Sequence, residues 1–156
     1  MTAASPRRLA VSGLLALAAA ASVLSGCSSA KAPSVNLSVF HLRPGTCVVT
    51  PTQIKAQLST LKAVPCKEPH TEEVYALVVD HSGQTYPGTA ALQTFANGAC
   101  LQRYAGYVGV DYRDSSLFFT YLLPSVRSWA AGDHTVDCVI STTGQTLTRS
   151  VKGSKL

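Results

Sequence analysis

The chain has 156 residues, a formal net charge of +5 and 46% hydrophobic residues. That apolar content argues against a disordered polar chain, and the length suits one ordinary domain with short appendages. Two of the positive charges, Arg7 and Arg8, precede a segment expected to be removed, which leaves +3 on the remainder. With no Lys/Arg cluster and no recognition motif, this balance argues against a nucleic-acid partner.

The N-terminus reads as an export signal. After Arg7 and Arg8 comes the apolar, Ala-rich run "LAVSGLLALAAAASVL", Leu9 to Leu24. It is about 16 residues long, and a membrane span needs roughly 20 strongly apolar ones. A positive start, an apolar middle and small residues at the end describe a secretory signal. The segment closes on "LSGC", which resembles the bacterial lipobox. That resemblance implies diacylglycerol on Cys27 and cleavage before it, making residues 1–26 a lipoprotein signal peptide. Two acyl chains give lasting attachment where one binds only marginally. The plasma membrane, reached through the lipid on Cys27, is thus the first expected partner, with the protein on its outer face. The paired arginines leave both the general secretory and the twin-arginine routes open. Residues 27–36, small, polar and Pro-containing, read as a tether, and residues 37–156 as one extracytoplasmic domain.

Along that domain, "NLSVFHLR" (Asn36 to Arg43) alternates as a strand, and "RPGTC" turns. "IKAQLSTLKAVPC" fits neither period well and is assigned to a strand ending near Cys66. "EVYALVVD" (Glu73 to Asp80) is apolar on both faces, which predicts a central strand. "HSGQTYPG" is a loop. A helix is expected from Gly88 and Thr89, with the Thr89 side chain as its cap. Its apolar stripe runs through Leu92, Phe95, Ala96, Ala99, Cys100 and Tyr104. Arg103 falls inside that stripe and Gly98 weakens the helix, so the helix is expected to end near Arg103. "SLFFTYLL" is a strand stopped by Pro124, and "SVRSWAAG" a helical turn closed by Gly132. "HTVDCVIS" puts Val136, Cys138 and Ile140 on one face, and "QTLTRSVK" reads as a last, more polar strand. The sum is an α+β fold: a mainly antiparallel sheet with one principal helix packed on one face, stapled by disulfides.

Beyond Cys27, the cysteines are Cys47, Cys66, Cys100 and Cys138. An even number outside the cell reads as a disulfide framework. Of the three possible pairings, Cys47–Cys66 with Cys100–Cys138 is preferred. A core-facing Cys138 is within reach of Cys100 on a helix packed above it.

"PCKEPHTEEVY" (Pro65 to Tyr75) has the look of a site, because a thiol, an imidazole and two carboxylates follow one another closely. Zinc binding or nucleophilic attack needs a free thiolate, and oxidation of Cys66 removes it. Without Cys66, no metal-binding spacing supports His70, Glu72 and Glu73. The architectural reading is that Pro69 shapes a turn, His70 hydrogen-bonds within it and Glu73 starts a strand. A functional version has Cys66 and His70 presenting an exposed rim to a partner. Asp80–His81 and Asp133–His134 resemble fragments of a triad, but neighbours on a strand point to opposite faces. A glycosidase pair would need Glu72 or Glu73 to face a distant acid such as Asp111 or Asp137; these acids are expected to be solvated instead. Trp129 is expected to plug one end of the core. Tyr107 and Tyr112 are expected to be exposed, which with His70 and Glu72 makes a possible partner surface.

Four segments together resemble a known family: "VPCKEPHTEEVYAL" (64–77), "YPGTAAL…C" (86–100), "YVG" (107–109) and "P…WAAGDHTVDCVI" (124–140). They are similar to the septum-formation domain family of exported and membrane-attached bacterial proteins, from about Pro44 to Gly153. The family's four cysteines map onto Cys47, Cys66, Cys100 and Cys138. His134 departs from an expected Arg, and "PGTC" from a more usual Gly-Asp-Cys. The resemblance implies a role in septum formation or cell division and supplies no catalytic residues. The expected protein is therefore a non-enzymatic lipoprotein that meets an envelope or division protein and uses no cofactor. The alternatives are a cell-wall glycan or small-ligand binding module, and a metal- or Cys/His-dependent hydrolase.

Overall fold

The computed structural model describes residues 33–51 and 59–156. The predicted signal peptide, Cys27 and most of the predicted tether lie outside the described residues. Six strands form one antiparallel sheet: β1 (Val35–Ser38), β2 (Cys47–Val49), β3 (Thr60–Val64), β4 (Glu72–Val79), β5 (Phe118–Leu122) and β6 (Thr135–Ser141). Their order across the sheet is β1-β3-β2-β4-β6-β5. The helices are α1 (Thr89–Val108) and α2 (Val126–Ala130). The α+β expectation holds, with one principal helix on one face. Among the described residues, no helix is long and apolar enough to cross a membrane.

β4 lies inside the sheet, as its two apolar faces predict. It pairs with β2 on one side and β6 on the other, with a register shift between Val74 and Ala76. The shift inserts Tyr75 on the helix side, where Tyr75, Ala76 and Val78 join Val136, Cys138 and Ile140 of β6 beneath α1. Leu42, Val48, Leu61, Val74 and Val139 form a smaller core on the opposite face.

Both preferred disulfides are present. Cys47–Cys66 joins β2 to the turn that follows β3, and Cys100–Cys138 joins α1 to β6. Cys100 and Cys138 are both fully buried, so the second staple crosses the centre of the helix–sheet layer.

The helix differs from expectation at both ends. Gly88, which makes no side-chain cap bond, is the capping residue. Thr89 is already helical, and its hydroxyl meets Tyr86 Oη at 3.3 Å instead. The helix passes through Arg103 and ends at Val108, before Gly109 in the left-handed conformation at φ 90°. The buried stripe is Leu92, Ala96, Cys100, Tyr104, Tyr107 and Val108, and Arg103 points to solvent beside it. The next turn adds Tyr107 and Val108 to the core, which outweighs the propensity cost of Gly98.

Two strand assignments are corrected. "NLSVFHLR" is a strand only to Ser38, whose side chain caps a 3₁₀ turn at Val39–His41; β1 itself takes in Val35 and Asn36, assigned above to the tether. The "QTLTRSVK" stretch forms no strand: Leu147 makes one isolated bridge with His70, and the chain then turns away. The residues just beyond it are held elsewhere, with Gly153 N–H on Tyr107 O at 2.8 Å and Lys155 N–H on Val108 O at 2.9 Å. These bonds satisfy carbonyls that the end of α1 would leave open. β2, within the stretch following the "RPGTC" turn, was not anticipated. The turn itself is present, with Thr46 N–H on Arg43 O at 2.9 Å.

In the loop-entropy account, a loop of about 39 residues is worth about 4 kcal/mol and one of about 20 residues about 3 kcal/mol. Cys100→Ser/Cys138→Ser is expected to destabilise more than Cys47→Ser/Cys66→Ser, each by several kcal/mol in urea unfolding. Alkylation of the native, unreduced domain is expected to find none of these four thiols free.

Candidate functional site

The Cys66–Glu73 segment is architecture. Glu68 N–H reaches Pro65 O at 2.8 Å, closing the turn. His70 Nδ1 lies 2.7 Å from the Glu68 carbonyl oxygen, so Nδ1 carries the proton and donates. His70 is only 1% exposed, and its Nε2 has no hydrogen-bond partner among the described residues. Glu73 is fully buried rather than solvated. Its Oε1 accepts from Tyr107 Oη at 2.5 Å and Ser150 Oγ at 2.6 Å, and its Oε2 from Val151 N–H at 2.8 Å. Three donors offset the cost of burying the carboxylate, and they tie β4, α1 and the C-terminal segment together. The sulfurs of Cys47 and Cys66 and a Glu73 oxygen lie close enough to share an ion. With both sulfurs in an S–S bond, no thiolate is available there to bind one.

The predicted partner surface does not assemble. His70 is buried, and Tyr107 is 9% exposed with its hydroxyl on Glu73. Burial and the Glu73 carboxylate push the Tyr107 phenol well above its ordinary range. Tyr112 is half-buried, edge-on to Tyr104 at 5.1 Å and Phe119 at 4.9 Å. Glu72 lies on the other face from Glu73 and accepts from Thr50 Oγ1 at 2.5 Å. These residues were expected outside because Tyr and Glu often are. The aromatic cluster of Tyr75, Tyr104, Tyr107, Tyr112 and Phe119 instead fills the helix face. Trp129 is buried as expected, with Nε1–H on Gln84 O at 3.0 Å and the His134 ring stacked on it at 3.9 Å. Asp111 is exposed, and the Arg113 side chain holds its carboxyl below the ordinary range. The glycosidase pairing with Asp137 is not brought together: Glu73 is under α1, and Glu72, though on the same face as Asp137, lies at the far end of the ladder, opposite Ser141, while Asp137 lies opposite Leu77.

That opposite face carries a sizeable cleft, about 780 Å³. α1 covers one side of the sheet; the other is covered only in part. The gap lies between the 3₁₀ turn after β1, the end of β5 and α2. Leu42, Leu77 and Leu122 supply apolar wall. α2 is set in place by a reciprocal cap, with Ser128 N–H on Ser125 Oγ at 3.0 Å and Ser125 N–H on Ser128 Oγ at 2.8 Å.

Asp137 is the unusual member of the lining. Val136 and Cys138 point into the helix-side core, so strand alternation sends Asp137 to the cleft. It is 8% exposed and makes no hydrogen bond within the described chain. Burial, with the negative charge of Asp133 nearby, pushes its carboxyl up to about 7. Asp133 is half-buried and accepts from Thr135 N–H at 3.1 Å through Oδ1. Arg43 and Arg127 stand exposed at the rim. A buried, unpartnered carboxyl in a cleft with an apolar wall has the composition of a binding site. Sequence analysis named Asp137 only as a distant partner for Glu72 or Glu73. The available signal was an acid inside an otherwise apolar strand, "TVDCVIS".

A profile described as septum formation matches residues 19–148, most of the chain. No match is found among curated proteins or among solved structures.

Two expectations follow from the buried acids. Glu73→Ala strands three donors and is expected to cost roughly 3 kcal/mol or more; Tyr107→Phe, which removes one of them, is expected to cost about 1–2 kcal/mol, both read by urea unfolding. Asp137 acts in the opposite sense. Unfolded, it releases its proton near pH 4; folded, it keeps the proton to about 7. The folded state therefore holds the extra proton between these values, and stability falls as pH rises through them, then levels. Asp137→Asn is expected to flatten that slope and to be more stable than wild type at about pH 8 by roughly 2–4 kcal/mol.

Proposed function

This chain belongs to the septum-formation family, and we propose that it is a lipid-anchored protein on the outer face of the plasma membrane. It acts there without catalysis, by contact with an envelope or division protein. The family membership points to a role in septum formation or cell division. The finer reading rests on the export signal ending at Cys27, together with the disulfides. Buried S–S bonds between neighbouring elements are what an oxidising compartment selects. All four domain sulfurs are committed to staples, and the Glu73 carboxylate is held by three donors. The residues that looked most like a reaction centre are thus supports, and this single observation carries the non-enzymatic reading.

A second reading is a small-ligand binding module. Most Tyr side chains and Trp129, which such a module could use for stacking, lie in the core. The cleft around Asp137 now supports it better, because it joins an apolar wall to a few convergent polar groups.

A fluorescent fusion to the chain is expected to concentrate at the division site, and deletion to delay septation. Even distribution around the cell with normal septa would count against the reading. Cys27→Ala is expected to move the protein from the membrane fraction to the soluble or secreted fraction; unchanged membrane association would remove the lipid anchor from the account.

A further inference from the structure

We propose that the cleft beside β6 binds a ligand with an ammonium group at one end and a carboxylate at the other, joined by an apolar stem. Asp137 is the inner counter-ion and the rim arginines are the outer one. The inference rests on the ligand-binding reading above and names its chemistry.

The charges are sorted by depth. Asp137, on the floor, is more than nine-tenths buried and has no hydrogen-bond partner in the described chain. Asp133 and Thr135 are half-buried above it, and Arg43 and Arg127 are exposed at the mouth. The wall between floor and mouth includes Leu42, Leu77 and Leu122. An inner acid, an apolar middle and an outer base are the complement of a lysine-like zwitterion. A neutral sugar would leave the rim guanidiniums without counter-ions. An anion alone would meet two carboxyl groups at the floor. The cleft volume of about 780 Å³ exceeds what one amino acid fills, so the natural ligand is expected to be a short peptide or a similar conjugate.

The unpartnered state of Asp137 is the strongest reason. Its side chain makes no hydrogen bond within the described chain, yet its carboxyl oxygens are not sealed off but open onto the cleft, where an entering donor can reach them. An ammonium group entering the cleft would give Asp137 a charge-assisted bond. It would also relieve the repulsion between Asp137 and Asp133. The titratable and charged groups that line the cleft with Asp137 are Asp133 on the segment before β6, Arg43 after the 3₁₀ turn and Arg127 on α2, while Tyr121 of β5 packs towards the helix-side core. Asp133 opposes the ionisation of Asp137. Binding of an ammonium ion favours it, so affinity should rise with pH through neutrality.

The test is calorimetric titration of the full-length, disulfide-intact chain with four probes: Nα-acetyl-lysine, Nα-acetyl-norleucine, 1,5-diaminopentane and an N-acetylglucosamine tetramer. Nα-acetyl-lysine is expected to bind tightest. Nα-acetyl-norleucine, which lacks the amine, should bind at least about tenfold more weakly. Asp137→Asn is expected to remove that preference while remaining folded, since it relieves a buried acid. Arg43→Gln/Arg127→Gln should weaken Nα-acetyl-lysine and should not weaken 1,5-diaminopentane, whose outer ammonium the rim guanidiniums repel. Affinity for Nα-acetyl-lysine should fall between about pH 8 and about pH 5.5, as Asp137 takes up its proton. Equal binding of the lysine and norleucine probes, or insensitivity to Asp137→Asn, would overturn the ammonium assignment. Tight binding of the sugar tetramer alone would do the same while sparing a ligand-binding role. No binding of any probe would overturn both.

Discussion

The covalent bond between Cys100 and Cys138 sets the arrangement on which the rest depends. It pins the middle of α1 to an inner strand of the sheet, at a point from which water is absent. One face is thereby given to a single long helix, and every large side chain on that face must find its place beneath it. The tyrosines do so by packing edge to face, a geometry their ring quadrupoles favour. The opposite face receives no comparable cover. Among the described residues, the chain before β2 and the short α2 lie over it, and the space between them is the cleft.

Glu73 completes the closed side by polar means. A carboxylate with no exposure is tolerable only when its lone pairs are filled, and here the donors come from α1 and from the C-terminal segment. The same segment returns backbone N–H groups to the last carbonyls of α1. Sheet, helix and terminus are therefore interlocked through one side chain and the bonds around it. A polar knot of this kind is sensitive to loss of any member, because each loss strands its partners. Buried polar residues beside a disulfide resemble a reaction centre in one dimension. In three dimensions they are a brace.

Asp137 stands in contrast to Glu73. Both are buried acids on neighbouring strands, but one is filled by internal donors and the other has none within the described chain. The first contributes to stability; the second detracts from it above its unfolded titration range. A protein that keeps a destabilising acid inside a cleft fits the pattern in which stability is given up where binding is needed.

Much of the fold was legible in the amino-acid order. The alternation of "EVYALVVD" and "HTVDCVIS", the turn at Pro44–Gly45 and the helical spacing of Leu92, Ala96, Cys100 and Tyr104 follow from local geometry. So did the disulfide pairing, since Cys138 faces the core from its strand and Cys100 lies on the buried stripe of the helix above it. Other features depended on contacts between distant residues. The helix continued past Arg103 because Tyr107 and Val108 had a core to enter. "QTLTRSVK" failed as a strand because Glu73 captured its Val151 N–H and the end of α1 captured the N–H groups of Gly153 and Lys155 just beyond it. Whether an acid is solvated, filled or stranded is decided by which donors the fold brings to it. That is why Glu73 and Asp137 look alike in sequence and differ in structure. The linear chain determined the periodicities and the staples; only the packed sheet decided which face lies under α1 and which carries the cleft.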